Sequence, residues 1–205
     1  HEVRLLVEPD NGIYDAMNKG IAMATGNYIC FLNAGDSLHN NDTIGSLVRN
    51  TCVDSYITED GGKDRLPAVL YGNTDIVDDN RNFICHRRLS PPENLTWRSF
   101  RNGMLVCHQA FYARTDIAKK IAFNTIYRFS ADFDWCIRIM KEAESRRLPL
   151  IDSHITLVNY LKEGTTTKNH KASLKERFRI MATYYGLTTT YLRHAWFVIR
   201  AIIKR

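Results

Sequence analysis

Residues 8–36, EPDNGIYDAMNKGIAMATGNYICFLNAGD, constrain the fold more than any other stretch of the chain. A turn at Asp10-Asn11-Gly12 leads into a segment where Ile13, Met17, Ile21 and Ala24 recur at helical spacing, and Gly26 stops it. Residues 28–32 follow as a continuous apolar run, the pattern of a strand buried in a parallel sheet. Asn33, Ala34, Gly35 and Asp36 then come just past the carboxyl end of that strand. In open α/β sheets ligands bind at this edge, and an aspartate placed there can hold a divalent cation against a phosphorylated ligand. The same four residues also suit a polar strand-to-helix loop in which Asp36 or Ser37 is a cap, and by themselves they favour that loop.

The rest of the chain extends the alternation of strands and helices. Residues 3–7 form a short apolar run, expected as a strand, and Asp42 is placed to cap a helix through Val48. The polar stretch 58–65 is expected as a loop. Residues 68–71 and 75–77 look like strand material, with Asp78-Asp79-Asn80 as the hairpin turn before a strand at 83–86. Residues 109–113 suggest another strand, 130–145 a helix with Phe133, Cys136, Ile137 and Met140 facing inward, and 151–161 an extended segment. After a polar linker at 163–170, helices are expected near 173–185 and 189–203. The fold class is therefore α/β.

Charge divides the chain in two. Residues 162–205 carry ten Lys and Arg against two Glu, a net +8, whereas residues 1–161 hold 18 basic and 20 acidic side chains, a net −2. The basic character belongs to the tail and suits an anionic surface there, not a nucleic-acid cleft in the main region. Two regions are expected, a catalytic-type domain over 1–161 and a basic helical extension over 162–205. The five cysteines are scattered without a CxxC pair, which suits reduced thiols in a cytoplasmic protein, and no HExxH spacing points to a structural metal site. No apolar run has the length of a membrane span, and the opening His1-Glu2-Val3-Arg4 has neither the pattern of a signal peptide nor an initiating Met. The natural N-terminus is accordingly expected to lie upstream.

The run from Glu8 to Asp36 resembles glycosyltransferase family 2, in the bacterial branch whose signature reads EPDxGIYDAMNKGI…GxYxxFLNAGD. The resemblance implies a GT-A fold, a Rossmann-like mixed sheet flanked by helices, here lacking its first β-α-β segment. It also implies a nucleotide-diphospho-sugar donor, Mg²⁺ or Mn²⁺, and inversion at the anomeric carbon. By position, Asp36 falls at the metal-ligating end of the family's Asp-x-Asp motif, whose first carboxylate is absent, and Asn33 falls near the ribose. Asp10, Asn18, Lys19 and Gly35 complete the donor-side residues. Met17 stands where much of the family has Arg before the Asn, and Lys19 is the substitute nearby.

A second part of the resemblance is Ser130-Ala131-Asp132-Phe133-Asp134-Trp135. The family has Glu-Asp at the mouth of this helix, and its Asp is the general base, which makes Asp132 the catalytic base here. Inversion needs one such carboxylate, taking the acceptor hydroxyl proton as that oxygen attacks. Asp132 also suits a plain helix N-cap. Asp134 lies two residues on, where helical side chains point apart, so it contacts acceptor or metal only if the segment is a loop. Val106-Cys107-His108-Gln109-Ala110-Phe111 resembles the branch's HQAxF strand beside the acceptor, which makes His108 and Gln109 candidates for sugar hydroxyls; buried polar groups paired with backbone are the alternative. Gly164-Thr165-Thr166 sits where the branch has a loop that closes over the diphosphate, with Lys168 and His170 as solvated linker residues or donors to it. The absent QxxRW motif favours transfer of single sugars over polymerisation.

The last helix sets Arg193, Arg200 and Lys204 on one stripe with Trp196, Phe197, Ile199, Ile202 and Ile203 as apolar residues. It suits either peripheral contact with the inner membrane face or docking on its own domain. The resulting expectation is an inverting glycosyltransferase acting on a saccharide or lipid-linked acceptor in cell-surface polysaccharide or lipopolysaccharide synthesis. A non-catalytic sugar-nucleotide or membrane-surface binding module is the alternative. Nucleic acid is not expected as a partner, because the tail's aromatic and basic residues follow a helix face and not a stacking groove.

Overall fold

The computed structural model describes residues 3–57, 63, 65–162 and 170–203, with side chains of the last segment described for 171–199. Helix α1 spans Ile13–Met23, followed by two-residue strands β1 (Tyr28–Ile29) and β2 (Ser37–Leu38) and helix α2 (Thr43–Thr51). A hairpin of β3 (Val69–Val77) and β4 (Phe83–His86) leads through 3-10 turns at Trp97–Asn102 and His108–Ala110 to β5 (Phe111–Arg114) and the short helix α3 (Thr115–Ala118). Helix α4 (Ala131–Arg146), strand β6 (Leu150–Leu161) and helices α5 (His170–Tyr185) and α6 (Leu187–Ile203) complete the order.

The sheet runs β1-β5-β3-β6-β2, and β4 extends the β5 edge of β3. Only the central pair β3–β6 is parallel, with Val69 opposite Leu150 and Val77 opposite Leu161; the other pairings are antiparallel. Alternation along the strands divides the core. Val69, Tyr71, Phe111 and Ala113 face one cluster with Met17, Ile21, Trp135 and Ile137, while Leu70 and Tyr112 face a second with Leu47, Val53 and Leu157. Gly72 allows β3 and β6 to approach there: a Cβ would lie 2.6 Å from both the Ile155 carbonyl and Ser153 Oγ.

The helices expected around Met17 and Phe133 are present, with Met17, Ile21, Phe133, Cys136, Ile137 and Met140 all buried. The two strand pieces at 68–71 and 75–77 are one continuous strand. The Asp78 turn closes the β3–β4 hairpin, its Oδ1 accepting from the amides of Asn80 (2.9 Å) and Asn82 (2.8 Å).

Three expectations are corrected. Residues 3–7 are not a strand: no ladder partner lies beside them among the described residues, and Val3 and Leu5 are 86% and 84% exposed. The run 28–32 is not a buried parallel strand but a two-residue antiparallel edge, paired with β5 only through Tyr28–Arg114 and Ile29–Ala113. The strand expected at 109–113 starts later, because residues 108–110 form a 3-10 turn.

The basic segment packs on this core. Ile180 and Met181 of α5 are fully buried in the same cluster as Trp135, and Phe197 of α6 packs against it. Residues 163–169, including Gly164, Thr165, Thr166 and Lys168, and the side chain of His170 lie outside the described residues, as does most of the loop expected at 58–65.

Candidate active site

Asp36 ends the loop after β1. Gly35 has φ +95°, and a Cβ there would lie 2.7 Å from Leu161 Cδ2, so glycine is what lets the chain turn under the end of β6. The Gly35 carbonyl accepts from Arg81 Nη1 at 2.6 Å. The Asp36 carboxylate is then gripped from two sides: Oδ1 accepts from the Leu161 amide (3.0 Å) and Oδ2 from Gln109 Nε2 (2.8 Å). Gln109 is fully buried and held in turn by Cys107, whose thiol donates to Oε1 at 2.7 Å and thereby fixes which end of the amide faces Asp36. The Asp36 side chain is therefore held in place across the sheet and is not a helix cap, since α2 begins only at Thr43 with Asp42 before it.

Asp132 is 8% exposed in the first turn of α4. Its Oδ1 accepts from Tyr14 Oη at 3.0 Å, and Oδ2 lies 3.1 Å from His108 Nδ1. Burial alone would raise this carboxyl, but the hydrogen bond and charge of His108, with the charge of Arg177, override it and hold the group at about 2. Asp132 is thus an anion throughout the neutral range. The N-cap alternative does not hold, because Ser130 is the capping residue and Asp132 lies inside the helix. His108 Nε2 is buried and has no hydrogen-bond partner.

His108 and Gln109 are therefore adjacent residues of one 3-10 turn, each holding a different carboxylate. Both are candidates for sugar hydroxyls, with buried polar pairing as the alternative; in the structure they pair with the side chains of Asp132 and Asp36. Asp134 is corrected more sharply. It is 3% exposed, and its oxygens accept from Arg138 Nε (2.7 Å) and Tyr184 Oη (2.8 Å), so it ties α4 to α5. Helix geometry explains the split: with both residues helical, side chains two apart diverge.

The other donor-side residues do not gather at this place. Both amide atoms of Asn18 bond the Phe123 backbone, Nδ2 donating to its carbonyl at 3.0 Å and Oδ1 accepting from its amide at 2.7 Å, which ties α1 to the segment before α4. Lys19 Nζ reaches Asp10 Oδ1 (2.7 Å) and Glu8 Oε1 (2.6 Å), and the hydrogen bonds of Asp10 and Glu8 raise its pKa. Asp10 and Lys19 line a separate cavity of about 680 Å³ between residues 4–10 and α1. Asn33 contributes its carbonyl, which accepts the Asp36 amide at 3.0 Å.

Two contributors to the site, and one buried carboxylate elsewhere on the sheet, carry no mark of their partners in the sequence. Tyr14 carries the hydroxyl on Asp132; it sits inside the Glu8–Asp36 signature, yet its helical position signals only packing, and it does stack on Phe123. Arg177 belongs to the basic tail, whose charge suits an anionic surface, yet its charge reaches Asp132. Asp75, buried in β3, accepts from His86 Nδ1 at 2.7 Å across the β3–β4 ladder, a pairing that no sequence spacing reveals.

A model of glycosyl transferase family 2 matches residues 1–133, which include both carboxylates. The chain belongs to that family. It is 34% identical over 138 residues to a PGL/p-HBAD biosynthesis glycosyltransferase of Mycobacterium tuberculosis, covering 66% of this chain and 47% of the relative. It is 28% identical over 131 residues to the amylovoran biosynthesis glycosyltransferase AmsB of Erwinia amylovora, covering 62% of this chain and 40% of that protein. This family 2 chain thus spans just under half the length of these relatives. The crystal structure of Staphylococcus aureus TarS residues 1–349 superposes with a TM-score of 0.52 at 13% identity, over 90% of this chain and 51% of that one. The likeness gives the fold, and the expected GT-A architecture is the one observed.

Glycosyltransferases of this family generally use a divalent cation. Among the described residues no three His, Cys, Asp or Glu side chains cluster to cage one. The donor set still fits, since Mg²⁺ binds through one or two carboxylates completed by substrate phosphates and water. Each Asp36 oxygen accepts one hydrogen bond in the structure and keeps a second lone pair for coordination.

Proposed function

We propose that this family 2 glycosyltransferase transfers a sugar, with inversion, from a nucleotide-diphospho-sugar to a hydroxyl of a saccharide or lipid-linked acceptor in cell-surface glycan synthesis. The observation that carries the reading is the convergence of Asp36 and Asp132, far apart in sequence, on His108 and Gln109 of a single turn. Asp36 is the residue that would hold Mg²⁺ or Mn²⁺, which when bound stabilises the charge of the departing diphosphate. Asp132 faces the other reactant and accepts the acceptor's proton.

A carboxylate held at about 2 is a weak base toward an alcohol. It suits a reaction in which the leaving bond is largely broken before the proton moves, when the attacking oxygen has become acidic. Tyr14 and His108 keep Asp132 ionised and aimed, so its alignment matters more than its basicity. The likeness to a PGL/p-HBAD biosynthesis glycosyltransferase and to an amylovoran biosynthesis glycosyltransferase is compatible with an acceptor on a surface glycan or glycolipid.

Donor binding tests the Asp36 assignment. Titration calorimetry of the intact enzyme against a panel of nucleotide-sugars with Mn²⁺ is expected to find one donor whose affinity falls at least tenfold in Asp36→Ala or on chelation. Equal affinity for that donor in all three conditions would remove the metal role.

The peripheral membrane contact also belongs to this reading. No helix of the described residues is long and apolar enough to cross a membrane. Helix α6 nonetheless exposes Leu187, Tyr191, Leu192, Trp196 and Ile199, with Phe197 turned inward, contrary to the stripe expected from sequence. Tyr191, Leu192, Trp196 and Ile199 fall on one face, as in an interfacial helix. Removing residues 187–205 is expected to abolish co-sedimentation with anionic liposomes, and unchanged co-sedimentation would refute it.

A further inference from the structure

A cavity of about 290 Å³ lies where α5 and α6 meet the start of α4, next to the candidate base. Phe133, the residue after Asp132, forms one wall, and the Arg177 guanidinium sits 5.7 Å over its ring. The charge of Arg177 is also felt at Asp132 and Tyr14.

Its lining has two chemistries. Leu89, Leu174, Met181 and Phe197 are apolar, while Arg88, Arg177 and His194 supply polar and cationic groups. Arg177 Nε and His194 Nε2 are buried with no hydrogen-bond partner. Native structures leave few such atoms unanswered, and each calls for an explanation such as a bound group. Among the described residues neither Arg88 nor Arg177 forms a salt bridge. Burial lowers the His194 pKa and keeps its ring neutral, so it hydrogen-bonds without adding charge.

We propose that this cavity holds the aglycone end of an amphipathic glycosyl acceptor, a single alkyl chain or aryl group joined to a phosphate, with the anion on Arg177 and His194. The assignment rests on the glycosyltransferase reading above and adds the acceptor's chemical class to it. The volume is at the lower end of the ~300–1,000 Å³ usual for small-molecule sites, enough for a ring or a short chain but not for an oligosaccharide. Guanidinium binds phosphate oxygens through paired N–H donors, which suits Arg177 to the head, and the apolar walls suit the adjoining carbons.

Calorimetry of the purified chain with octyl phosphate tests this, each variant first being shown by circular dichroism to fold. Octyl phosphate is expected to bind one per chain, at least tenfold weaker to Arg177→Gln, near wild type to Arg177→Lys, and not measurably to Leu174→Trp, whose indole fills the cavity. Octyl glucoside and inorganic phosphate are each expected to bind at least tenfold more weakly than octyl phosphate. Binding of either within threefold of octyl phosphate would overturn the proposal, as would full affinity in folded Leu174→Trp. Equal binding of dihexanoylphosphatidylglycerol would assign the cavity to membrane lipid and overturn the acceptor reading. Probe binding needs neither donor nor turnover. Its failure therefore leaves sugar transfer standing, whereas a chain that binds the probe but no nucleotide-sugar would count against transfer itself.

Discussion

Asp132→Asn in the intact enzyme is expected to lower transfer by about 10²–10⁴-fold, the range a positioned general base contributes, with donor affinity unchanged. The amide keeps the shape of the carboxylate and can still accept from Tyr14, but it carries no charge and cannot receive the proton. Donor affinity is spared because Asp36, Gln109 and the Leu161 amide form a separate set of bonds. Full turnover in this variant would make the base assignment wrong. A second measurement separates chemistry from folding. The Asp132 carboxyl, depressed from 3.8 to about 2, adds stability that is fully present above its ordinary pKa and is lost as the pH falls through about 2. Asp132→Asn should accordingly be less stable than wild type by about 2 kcal/mol at neutral pH, and the two denaturation curves should converge near pH 2. A gap independent of pH would show that the ionised carboxylate contributes nothing to the fold.

Trp135→Ala is the other large effect, expected to destabilise the protein by about 3–5 kcal/mol and lower Tm by roughly 10 °C. Trp135 is fully buried, stacks on Phe123 at 4.7 Å between ring centroids, and meets Phe31 and Phe111 edge-on. Its Nε1 donates to the Ile121 carbonyl at 2.7 Å, so truncation also leaves that carbonyl without this donor. The cavity would open beneath α1, because Asn18 pins the Phe123 backbone and Tyr14 stacks on its ring. Trp135→Phe should retain most of the packing. A loss below about 1 kcal/mol in Trp135→Ala by urea denaturation would show that the aromatic cluster does not govern stability.

Much of this was legible in the sequence for local reasons. The 3.6-residue spacing of Met17, Ile21, Phe133, Ile137 and Met140 reports one-sided burial directly, and those helices stand where the spacing puts them. Strands 3–7 and 28–32 were misjudged because an apolar run says nothing about which neighbour supplies the ladder. Asp36 and Asp132 were found through their motifs, but what each contacts depends on long-range closure. Gln109 comes from 73 positions beyond Asp36, and Tyr14 from 118 before Asp132. The contacts of Asn18 and Asp134 were hidden for the same reason: polar residues in a signature can also satisfy buried backbone or tie helices, and only the fold shows their partners. Arg177 was hidden because a cation on a basic helix carries no sequence mark of the one face that turns inward.

The short turn at His108–Ala110 has a consequence for engineering this enzyme. Its first two residues hold Asp132 and Asp36, so in the proposed reaction they would set the gap between the leaving diphosphate and the incoming hydroxyl as a gauge block fixes a machinist's spacing. A chimera with a crossover inside 107–110 would inherit its two settings from different parents and lose alignment even if both halves fold. Crossovers placed before Met104 or after Arg114 transfer the gauge whole, leaving donor and acceptor preference free to be varied around a reaction line that stays constant.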